Sequence, residues 1–350
     1  MYDIILIGLG PAGAIFSRQI DPRFKVLAID KKGESSSFSK PCGGLLAPDA
    51  QKALTSFGLN LPKDVLCDPQ IFSVKTIDLD SHLTRHYQRM YINLNRQKFD
   101  KWLINNIPSN ICTEQGTVTS ILKEDDGFAV TYSSGNIIKT SHARFIVGAD
   151  GAKSSVRKLI CPKLKTREYL SIQQWFKDSS PTPFYSCVFD SENTDCYSWT
   201  VSKDGYLIFG GAYPIKTAKQ AFECQKSKLS QCDIHFGTPI KTEACLVLRP
   251  KGLKSFCLGG DGVYLIGEAA GFISPSSLEG ISHAILSASA LAEAFNSSEF
   301  CNKLILKRYS RHTLKQRIKL TLKLLKCPFM YNKALRKLVL KSGVQAIKMK

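Results

Sequence analysis

The sequence predicts an α/β fold, in which a parallel sheet with crossover helices carries an inserted block of antiparallel strands and is followed by C-terminal helices. Three observations support this prediction. Residues 2–7 and 24–29 have the apolar composition of buried strands and flank a short predicted helix, which makes a β-α-β unit. Two further apolar runs, residues 145–148 and 264–267, each lead into a Gly/Ala-rich turn. Between them, residues 169–248 contain mostly alternating strand patterns.

The composition is that of a globular enzyme. With 350 residues, 43% of them hydrophobic, the chain can bury a core without disulfides or metals. Its twelve cysteines occur singly, without a C-x-x-C pair, which argues against a thiol–disulfide active site and a structural zinc. Most are therefore expected to be small core residues. We expect no metal, although His82 and His86 have helical spacing.

Charge is concentrated at one end of the chain. Residues 300–350 contain fifteen Lys or Arg and no Asp or Glu, out of a formal net charge of +19. This distribution argues against a nucleic-acid partner for the whole protein and points to a tail that can meet an anionic surface. Residues 1–7 lack the features of a signal peptide and no apolar run could span a bilayer, so we expect a cytoplasmic protein.

The turn after the first strand fits the G-x-G-x-x-G pattern of dinucleotide-binding domains. Gly8 permits the tight turn, Gly10 lets the backbone approach a pyrophosphate, and Gly13 lets the helix predicted at residues 12–20 pack on the strand. That helix offers free N–H groups and a positive dipole end to the phosphates. Asp30 ends the second strand, where it can accept hydrogen bonds from an adenosine ribose. The residues predicted to bind the dinucleotide here are Gly8, Gly10, Ala12, Gly13, Asp30 and Lys31.

With two later stretches, this motif resembles the p-hydroxybenzoate hydroxylase-type flavoproteins, and among them the geranylgeranyl reductase-like group. The segment at Asp150 and Gly151 is similar to the D-G motif of that superfamily. The segment from Glu268 to Gly271 is similar to its G-D motif, with Glu in place of Asp. The resemblance implies an FAD cofactor. It also implies a Rossmann-type FAD-binding domain with an inserted antiparallel β-sheet substrate domain, as in p-hydroxybenzoate hydroxylase, and C-terminal helices.

The segment from Glu268 to Gly271, the third motif, leads into a predicted helix. By the resemblance, Glu268 accepts hydrogen bonds from ribityl hydroxyls. Ser276 and Glu279 have capping-box spacing. The helix N-terminus, near Gly280 and Ile281, would face the pyrimidine edge of the isoalloxazine and stabilise the negative charge of the reduced flavin. An ordinary capped helix is the alternative. The predicted buried side consists of Ile281, Ala284, Ile285, Ala288, Leu291, Ala292 and Phe295.

A second predicted helix, residues 96–105, resembles the family's helix that begins with an arginine. The resemblance implies that Arg96 contacts the cofactor, because a guanidinium can bind a pyrophosphate or ribityl oxygen in a bidentate manner. A surface arginine at the start of a helix is the alternative. By the same resemblance, Val118 lies beside the adenine.

The loop from Lys40 to Leu45 resembles the P-C-G-G segment of geranylgeranyl reductases, in which a cysteine faces the reaction chamber. Cys42, Gly43 and Gly44 are therefore predicted to contact the flavin. The Cys42 thiol is our candidate catalytic residue, because it could donate a proton to a carbon acceptor. Shaping of the pocket without catalysis and an inert thiol are the alternatives.

The predicted domains are discontinuous. They comprise residues 1–70, 91–168 and 255–300 for the FAD-binding domain, 71–90 and 169–254 for the substrate domain, and 301–350 for the basic C-terminal helical segment. One side of the first tail helix is apolar, with Leu314, Ile318, Leu322 and Leu325. Such a helix can lie in a membrane interface with its cations on lipid phosphates, or pack on the protein with a solvated basic back.

Together these patterns predict an FAD-dependent oxidoreductase of lipid metabolism. By resemblance, it reduces carbon–carbon double bonds of an isoprenoid or other hydrophobic substrate. No second glycine motif is present, so the electron donor is NAD(P)H that docks transiently, or a small redox protein. The first alternative is an FAD monooxygenase or halogenase, although residues 173–176 lack the W-x-W-x-I-P pattern of halogenases. The second is a flavin-bound, membrane-associated module without turnover.

Overall fold

The computed structural model describes residues 1–31, 40–164, 166–178, 184–232 and 234–349. The strands in these residues are β1 (Tyr2–Ile7), β2 (Val26–Asp30), β3 (Leu45–Leu46), β4 (Ile71–Asp78), β5 (Leu83–Asn93), β6 (Cys112–Gln115), β7 (Thr117–Glu124), β8 (Gly127–Ser134), β9 (Ile137–Gly148), β10 (Arg167–Lys177), β11 (Tyr185–Phe189), β12 (Ser198–Lys203), β13 (Tyr206–Pro214), β14 (Lys241–Arg249), β15 (Gly259–Gly260), β16 (Val263–Leu265) and β17 (Ala346–Ile347). The helices are α1 (Pro11–Gln19), α2 (Pro48–Ser56), α3 (Arg96–Asn105), α4 (Ser155–Ile160), α5 (Ala218–Ser230), α6 (Ile281–Asn296), α7 (Asn302–Leu322), α8 (Cys327–Tyr331) and α9 (Lys333–Ser342).

The first sheet has the strand order β15-β16-β9-β1-β2-β6, with the β7–β8 ribbon attached to β9. Strands β16, β9, β1, β2 and β6 run parallel. Helices α1 and α6 pack against each other, and the rings of Phe16 and Phe295 meet edge to face. The predicted β-α-β unit is confirmed, because β1, α1 and β2 follow one another and β2 pairs with β1.

The second sheet has the order β14-β10-β13-β12-β11-β4-β5-β17, and β3 pairs with β5. Its neighbouring strands are antiparallel except for β4 and β11. Helix α5 packs on it through Phe222, whose ring stacks on that of Phe209 at 4.8 Å between centroids. The α/β class with an inserted, mainly antiparallel sheet is thereby confirmed. The residue bounds of the two domains remain a prediction.

The start of α6 differs from the prediction. The capping box is wrong, because the helix begins at Ile281 and not beside Ser276. Leu278 has a φ of +52°, a left-handed conformation that an α-helix excludes. Glu279 instead accepts hydrogen bonds from the N–H of Ser282 at 2.8 Å and from its hydroxyl at 2.6 Å. The predicted buried side of the helix is confirmed.

Two smaller expectations are also wrong. The apolar run at residues 145–148 is not a separate strand, because it is the end of β9, which begins at Ile137. Of the twelve cysteines, all of which are described, only Cys67, Cys196 and Cys257 are buried, and Cys257 forms a disulfide with Cys161. The partners are 96 residues apart in sequence, so spacing patterns could not have indicated the pair. No cluster of three or more potential metal-ligating side chains occurs among the described residues.

The tail packs on the rest of the protein through a different side of α7 from the one that the sequence singled out. Ile305, Tyr309, Thr313 and Leu320 are buried, and the Tyr309 hydroxyl donates to the carbonyl oxygen of Leu265 at 2.8 Å. The predicted apolar side is exposed, with Leu314, Ile318, Leu322 and Leu325. None of the described helices has the length and hydrophobicity needed to cross a bilayer.

Candidate functional site

A cavity of about 960 Å³ is lined by residues from both sheets. It extends from the glycine turn after β1 to strands of the second sheet. The predicted site residues that line it are Gly8, Gly10, Ala12, Asp30, Lys31, Cys42, Gly43, Gly44, Arg96, Val118, Asp150, Gly151, Glu268, Gly280 and Ile281. Gly13 and Gly271 are not among the lining residues. Folding therefore brings together nearly all of the residues predicted from separate motifs.

The three glycines of the first motif have different structural roles. Gly8 has a φ of +102°, and a Cβ atom there would lie 2.7 Å from the carbonyl oxygen of Ala149. A Cβ atom at Gly13 would lie 1.9 Å from the carbonyl oxygen of Gly8. Both positions therefore need glycine for the turn and the helix to pack. A Cβ atom at Gly10 would have no neighbour within 4 Å, so this part of the backbone stays open to a ligand in the cavity.

Two aspartates lie at the edge of the parallel sheet beside this turn. Asp30 accepts a hydrogen bond from the N–H of Leu9, which holds the glycine turn against β2. Asp150 accepts from the N–H and hydroxyl of Ser155 through Oδ2, at 2.7 and 3.0 Å. Its Oδ1 atom is buried and has no hydrogen-bond partner among the described residues. An unpaired buried carboxylate oxygen is costly, so this atom fits the hydroxyl group of a bound ligand.

Glu268 links the third motif to the loop that carries Cys42. Its Oε1 atom accepts from the N–H of Leu248 at 2.9 Å, and its Oε2 atom forms an ion pair with Lys40. Burial alone would lower the pKa of Lys40, but the charge and hydrogen bond of Glu268, together with the nearby Cys245, outweigh burial and raise that pKa. The ammonium therefore stays charged and keeps the loop at the cavity wall. The ribityl contact inferred for Glu268 remains a prediction.

The loop from Cys42 to Gly44 is shaped by contacts with the second sheet. The N–H of Gly44 donates to the Cys42 sulfur at 3.4 Å. Gly44 has a φ of +60°, and a Cβ atom there would lie 2.4 Å from the carbonyl oxygen of Leu94. A Cβ atom at Gly43 would lie 3.2 Å from the indole Nε1 of Trp199. These glycines allow the backbone to approach Trp199 and Leu94, which places the Cys42 thiol in the cavity lining.

Lys203 also holds this loop, and no sequence pattern indicates it. Its ammonium, at the end of β12, donates to the carbonyl oxygens of Gly44 at 3.2 Å and Leu94 at 2.8 Å, and to the amide oxygen of Asn93. Burial lowers the pKa of Lys203 to about 8. A lone lysine in a strand carries no signal that it is buried, so only the folded structure could identify it.

Arg96 is the first residue of α3, and Asn95 caps that helix. The guanidinium Nε lies 2.8 Å from the carboxylate of Asp100, and the Arg96 side chain is only 12% exposed. Burial acts to lower its pKa, but Asp100 and Cys42, which both interact with it, raise the pKa overall. The surface alternative is therefore wrong. Arg96 lines the cavity next to Cys42, and its predicted cofactor contact remains a prediction.

Aromatic side chains on or next to strands of the second sheet form a wall of the cavity, called here the aromatic wall. Tyr91, Tyr185, Tyr197 and Trp199 all line the cavity. The Tyr197 hydroxyl donates to the carbonyl oxygen of Ser277 at 3.0 Å. Burial raises the pKa of Tyr185 and of Tyr197, so both phenols stay protonated. The indole Nε1 of Trp199 is buried without a partner among the described residues, so it can donate to a ligand.

Comparison with known proteins identifies the family. Residues 1–208 match the family model described as FAD binding domain. The chain belongs to this family. The flavoprotein is 48% identical over 350 residues to Protein CbrA of Escherichia coli O9:H4 (strain HS), a match that covers 99% of this chain and 94% of that protein.

Solved structures show the same fold. The flavoprotein is similar to a geranylgeranyl bacteriochlorophyll reductase-like protein of Thermoplasma acidophilum, with a TM-score of 0.78 and 19% identity over 97% of this chain and 90% of that one. It is also similar to the flavin-dependent brominase Bmp2, with a TM-score of 0.68 and 18% identity over 97% and 92% of the two chains. By its match to the FAD binding domain family model, the flavoprotein is a member of the FAD-dependent p-hydroxybenzoate hydroxylase-type superfamily, and its cofactor is FAD.

The cavity fits this cofactor. The open backbone at Gly10 suits a pyrophosphate, and α1 begins directly after it with first-turn N–H groups that have no acceptor within the helix. The unpaired Oδ1 atom of Asp150 suits a hydroxyl group of the cofactor. Gly8, Gly10, Ala12, Asp30 and Asp150 are therefore the residues expected to hold its phosphates and sugar.

Proposed function

We propose that the flavoprotein is a reductase that adds hydrogen across a carbon–carbon double bond of a hydrophobic, isoprenoid-type substrate. The main support is the continuity of the cavity, which runs from the glycine turn to the aromatic wall with the Cys42–Gly44 loop between them. A ligand held at Gly10 therefore shares one space with a second ligand at Trp199. The reductase-like description of the Thermoplasma protein, which shares this fold, agrees with this choice.

FAD, when bound and reduced, supplies the hydride for such a reaction. One carbon of the double bond accepts the hydride and its two electrons, and the neighbouring carbon accepts a proton, which leaves a single bond. The two electrons return from NAD(P)H or from a small redox protein. Molecular oxygen is not a substrate of this reaction.

The side chains of the cavity have distinct parts in this proposal. Cys42 donates the proton to the substrate carbon. The Lys40–Glu268 pair and Lys203 hold the loop so that the Cys42 thiol keeps its place. The aromatic wall contacts the apolar substrate and excludes water.

Anaerobic photoreduction of the purified protein tests the reaction class. The reduced flavin spectrum is recorded, and a polyprenyl lipid is then added without oxygen. Return of the oxidised spectrum together with a hydrogenated product would support the reductase. Reoxidation that needs oxygen would favour the monooxygenase or halogenase, and no reoxidation under either condition would favour a module without turnover.

Replacement of Cys42 tests its role. A hydroxyl is a much weaker acid than a thiol, so Cys42→Ser should keep bound flavin and accept electrons but lose most product formation. Cys224→Ser, at an exposed position, is the matched control and should leave turnover unchanged. Equal turnover in both variants would assign Cys42 to pocket shape alone.

A further inference from the structure

We propose that the C-terminal helices dock the protein on an anionic lipid surface through an outward row of apolar side chains beside the cavity. The row consists of Leu314, Ile318, Leu322, Leu325 and Phe329. Docking would give a bilayer-resident substrate a short route to the cavity, and in this respect the inference rests on the proposed function. The attachment itself can be measured without any substrate.

The outward row is exposed although the helices that carry it are firmly packed. Leu322 is 56% exposed, Leu325 68% and Phe329 55%. Leu314, Ile318 and Leu322 are four residues apart in α7, so they lie on one side of that helix. Leu325 follows in a 3-10 turn and Phe329 in α8. Because α7 already buries another side through Ile305 and Tyr309, the row is additional apolar surface that the fold leaves uncovered.

A line of cations follows the same helix. Lys307, Arg311, Lys315 and Lys319 are exposed and four residues apart, so they lie on one side, adjacent to the outward row. Lys319 also contacts Asp49, with 3.0 Å between the ammonium and a carboxylate oxygen. No acidic residue occurs between residues 300 and 350, so nothing within the tail neutralises this line.

The outward row reaches the edge of the cavity. Lys323, which follows Leu322, is one of the lining residues, as are Asp49 and Glu279. Burial lowers the pKa of Lys323, and Glu279 acts in the opposite direction. An apolar chain that leaves a bilayer at Leu322 and Leu325 would therefore meet the cavity without crossing the protein surface.

The tail is fixed to the protein, so it presents the row as a rigid surface. The guanidinium of Arg336 forms ion pairs with Asp78, at 2.9 Å, and with Asp80. The Tyr331 hydroxyl donates to the carbonyl oxygen of Ser276. These contacts join α8 and α9 to the rest of the fold.

The combination of charge and apolar surface favours lipid over other occupants. A polyanion such as a nucleic acid would pair with the cations but leave the leucines exposed to water. A second copy of the chain would cover the leucines but would bring two lines of cations together, which is unfavourable. An anionic bilayer suits both the line of cations and the outward row, because its phosphates contact the cations while the apolar side chains enter the acyl boundary.

Flotation of the flavin-loaded, full-length protein with vesicles tests the proposal. Vesicles of phosphatidylcholine with about 30% phosphatidylglycerol provide the anionic surface, and pure phosphatidylcholine is the reference. We expect binding only to the anionic vesicles, and weaker binding when salt is raised from about 0.1 M to about 0.5 M. The flavin spectrum and the soluble fraction report that every variant stays folded.

Two double variants separate the contribution of the cations to vesicle binding from that of the apolar side chains. Arg311→Glu with Lys315→Glu should weaken binding at least about twentyfold, since each cation near such a surface is worth about a fivefold change. Leu322→Gln with Leu325→Gln should weaken it about tenfold, because less apolar surface enters the bilayer. The matched controls are Lys123→Glu with Lys158→Glu, and Leu122→Gln with Ile138→Gln, at exposed positions on other elements. Both should bind as the unaltered protein does.

Absence of vesicle binding at low salt would overturn the proposal. So would binding that the leucine variant leaves unchanged, because the charges alone would then account for it. Self-association that the leucine variant abolishes, without vesicle binding, would identify a second copy as the occupant. None of these outcomes depends on turnover, so they are distinguishable from failure of the proposed reductase reaction.

Discussion

The ammonium of Lys203 donates to the carbonyl oxygen of Gly44 at 3.2 Å, across 159 positions of sequence. This hydrogen bond joins the end of β12, an interior strand of the second sheet, to the loop that carries Cys42. Lys203 is only 3% exposed, and it has one acceptor in the loop, at Gly44, and two in the segment of Asn93 and Leu94.

Replacing Lys203 with Met should destabilise the protein and weaken FAD retention. Three buried acceptors would lose their donor, at a cost of roughly 3 kcal/mol in the free energy of unfolding. The loop at Gly43 and Gly44 would also lose its tether at the cavity. Denaturant unfolding and the ratio of flavin to protein absorbance measure the two effects. Lys177→Met, at an exposed position of β10, should change neither, and an unchanged Lys203→Met protein would contradict the assigned role.

The same lysine predicts a pH dependence of stability. Burial lowers its pKa from 10.5 to about 8 in the folded protein. Between these values the unfolded chain binds a proton that the folded chain has lost, so the free energy of unfolding should rise with pH, by up to about 3 kcal/mol. Below about pH 8 both the folded and the unfolded chain bind this proton, so Lys203 adds no pH dependence to the free energy of unfolding there. Urea titrations at several pH values should show this rise relative to Lys203→Met, and parallel curves for the two proteins would refute it.

Gly10 should be required for the cofactor but not for folding. A Cβ atom at Gly10 meets no protein atom within 4 Å, so Gly10→Leu can fold, but its side chain would fill the space expected for the pyrophosphate. The purified variant should be colourless with a melting temperature near that of the apoprotein. Gly237→Leu, which also has open space around its Cβ position, should keep its flavin. A yellow Gly10→Leu protein would argue against pyrophosphate binding at this turn.

Arg336 should anchor the tail. Its side chain and that of Asp78 are almost fully buried, so Arg336→Met would leave unpaired buried carboxylates and should cost about 3 to 5 kcal/mol. Hydrogen exchange should accelerate in α9 before the first sheet is affected. Lys337→Met, at the exposed position next to Arg336, is the control, and its α9 amides should exchange as in the unaltered protein. Slow exchange of α9 in Arg336→Met would show that other contacts hold the tail.

Sequence patterns predicted best the features that depend on neighbouring residues. The helix expected at residues 96–105 has those bounds in the structure, because Asn95 caps it locally and no distant contact changes its start. The turn at Gly8 likewise follows from residues next to each other. The capping box failed because the chain from Ser274 to Glu279 closes its own turn, in which the N–H of Ser274 donates to the carbonyl oxygen of Glu279 at 2.9 Å.

Features that depend on distant residues could not be predicted. Helix α7 has two apolar sides, one through Ile305 and Tyr309 and one through Leu314 and Ile318. Its periodicity does not tell which side meets the core. The contacts of Trp199 with Gly43 and of Lys203 with Gly44 join a loop to a strand that is distant in sequence, so no local pattern indicates them. Most of the predicted site residues nevertheless line the cavity, because the glycine motif, the D-G motif and the segment at Glu268 follow parallel strands at the same edge of the first sheet.

The pairing of β17 with β5 has a consequence for biosynthesis. Ala346 aligns with Tyr87 and Ile347 with His86, so one edge of the second sheet is completed by residues that leave the ribosome long after the strand they cover. Until then, β5 has an open edge, and open strand edges recruit other chains. A chain whose synthesis stops before the tail is made would therefore keep this edge open and be prone to aggregation.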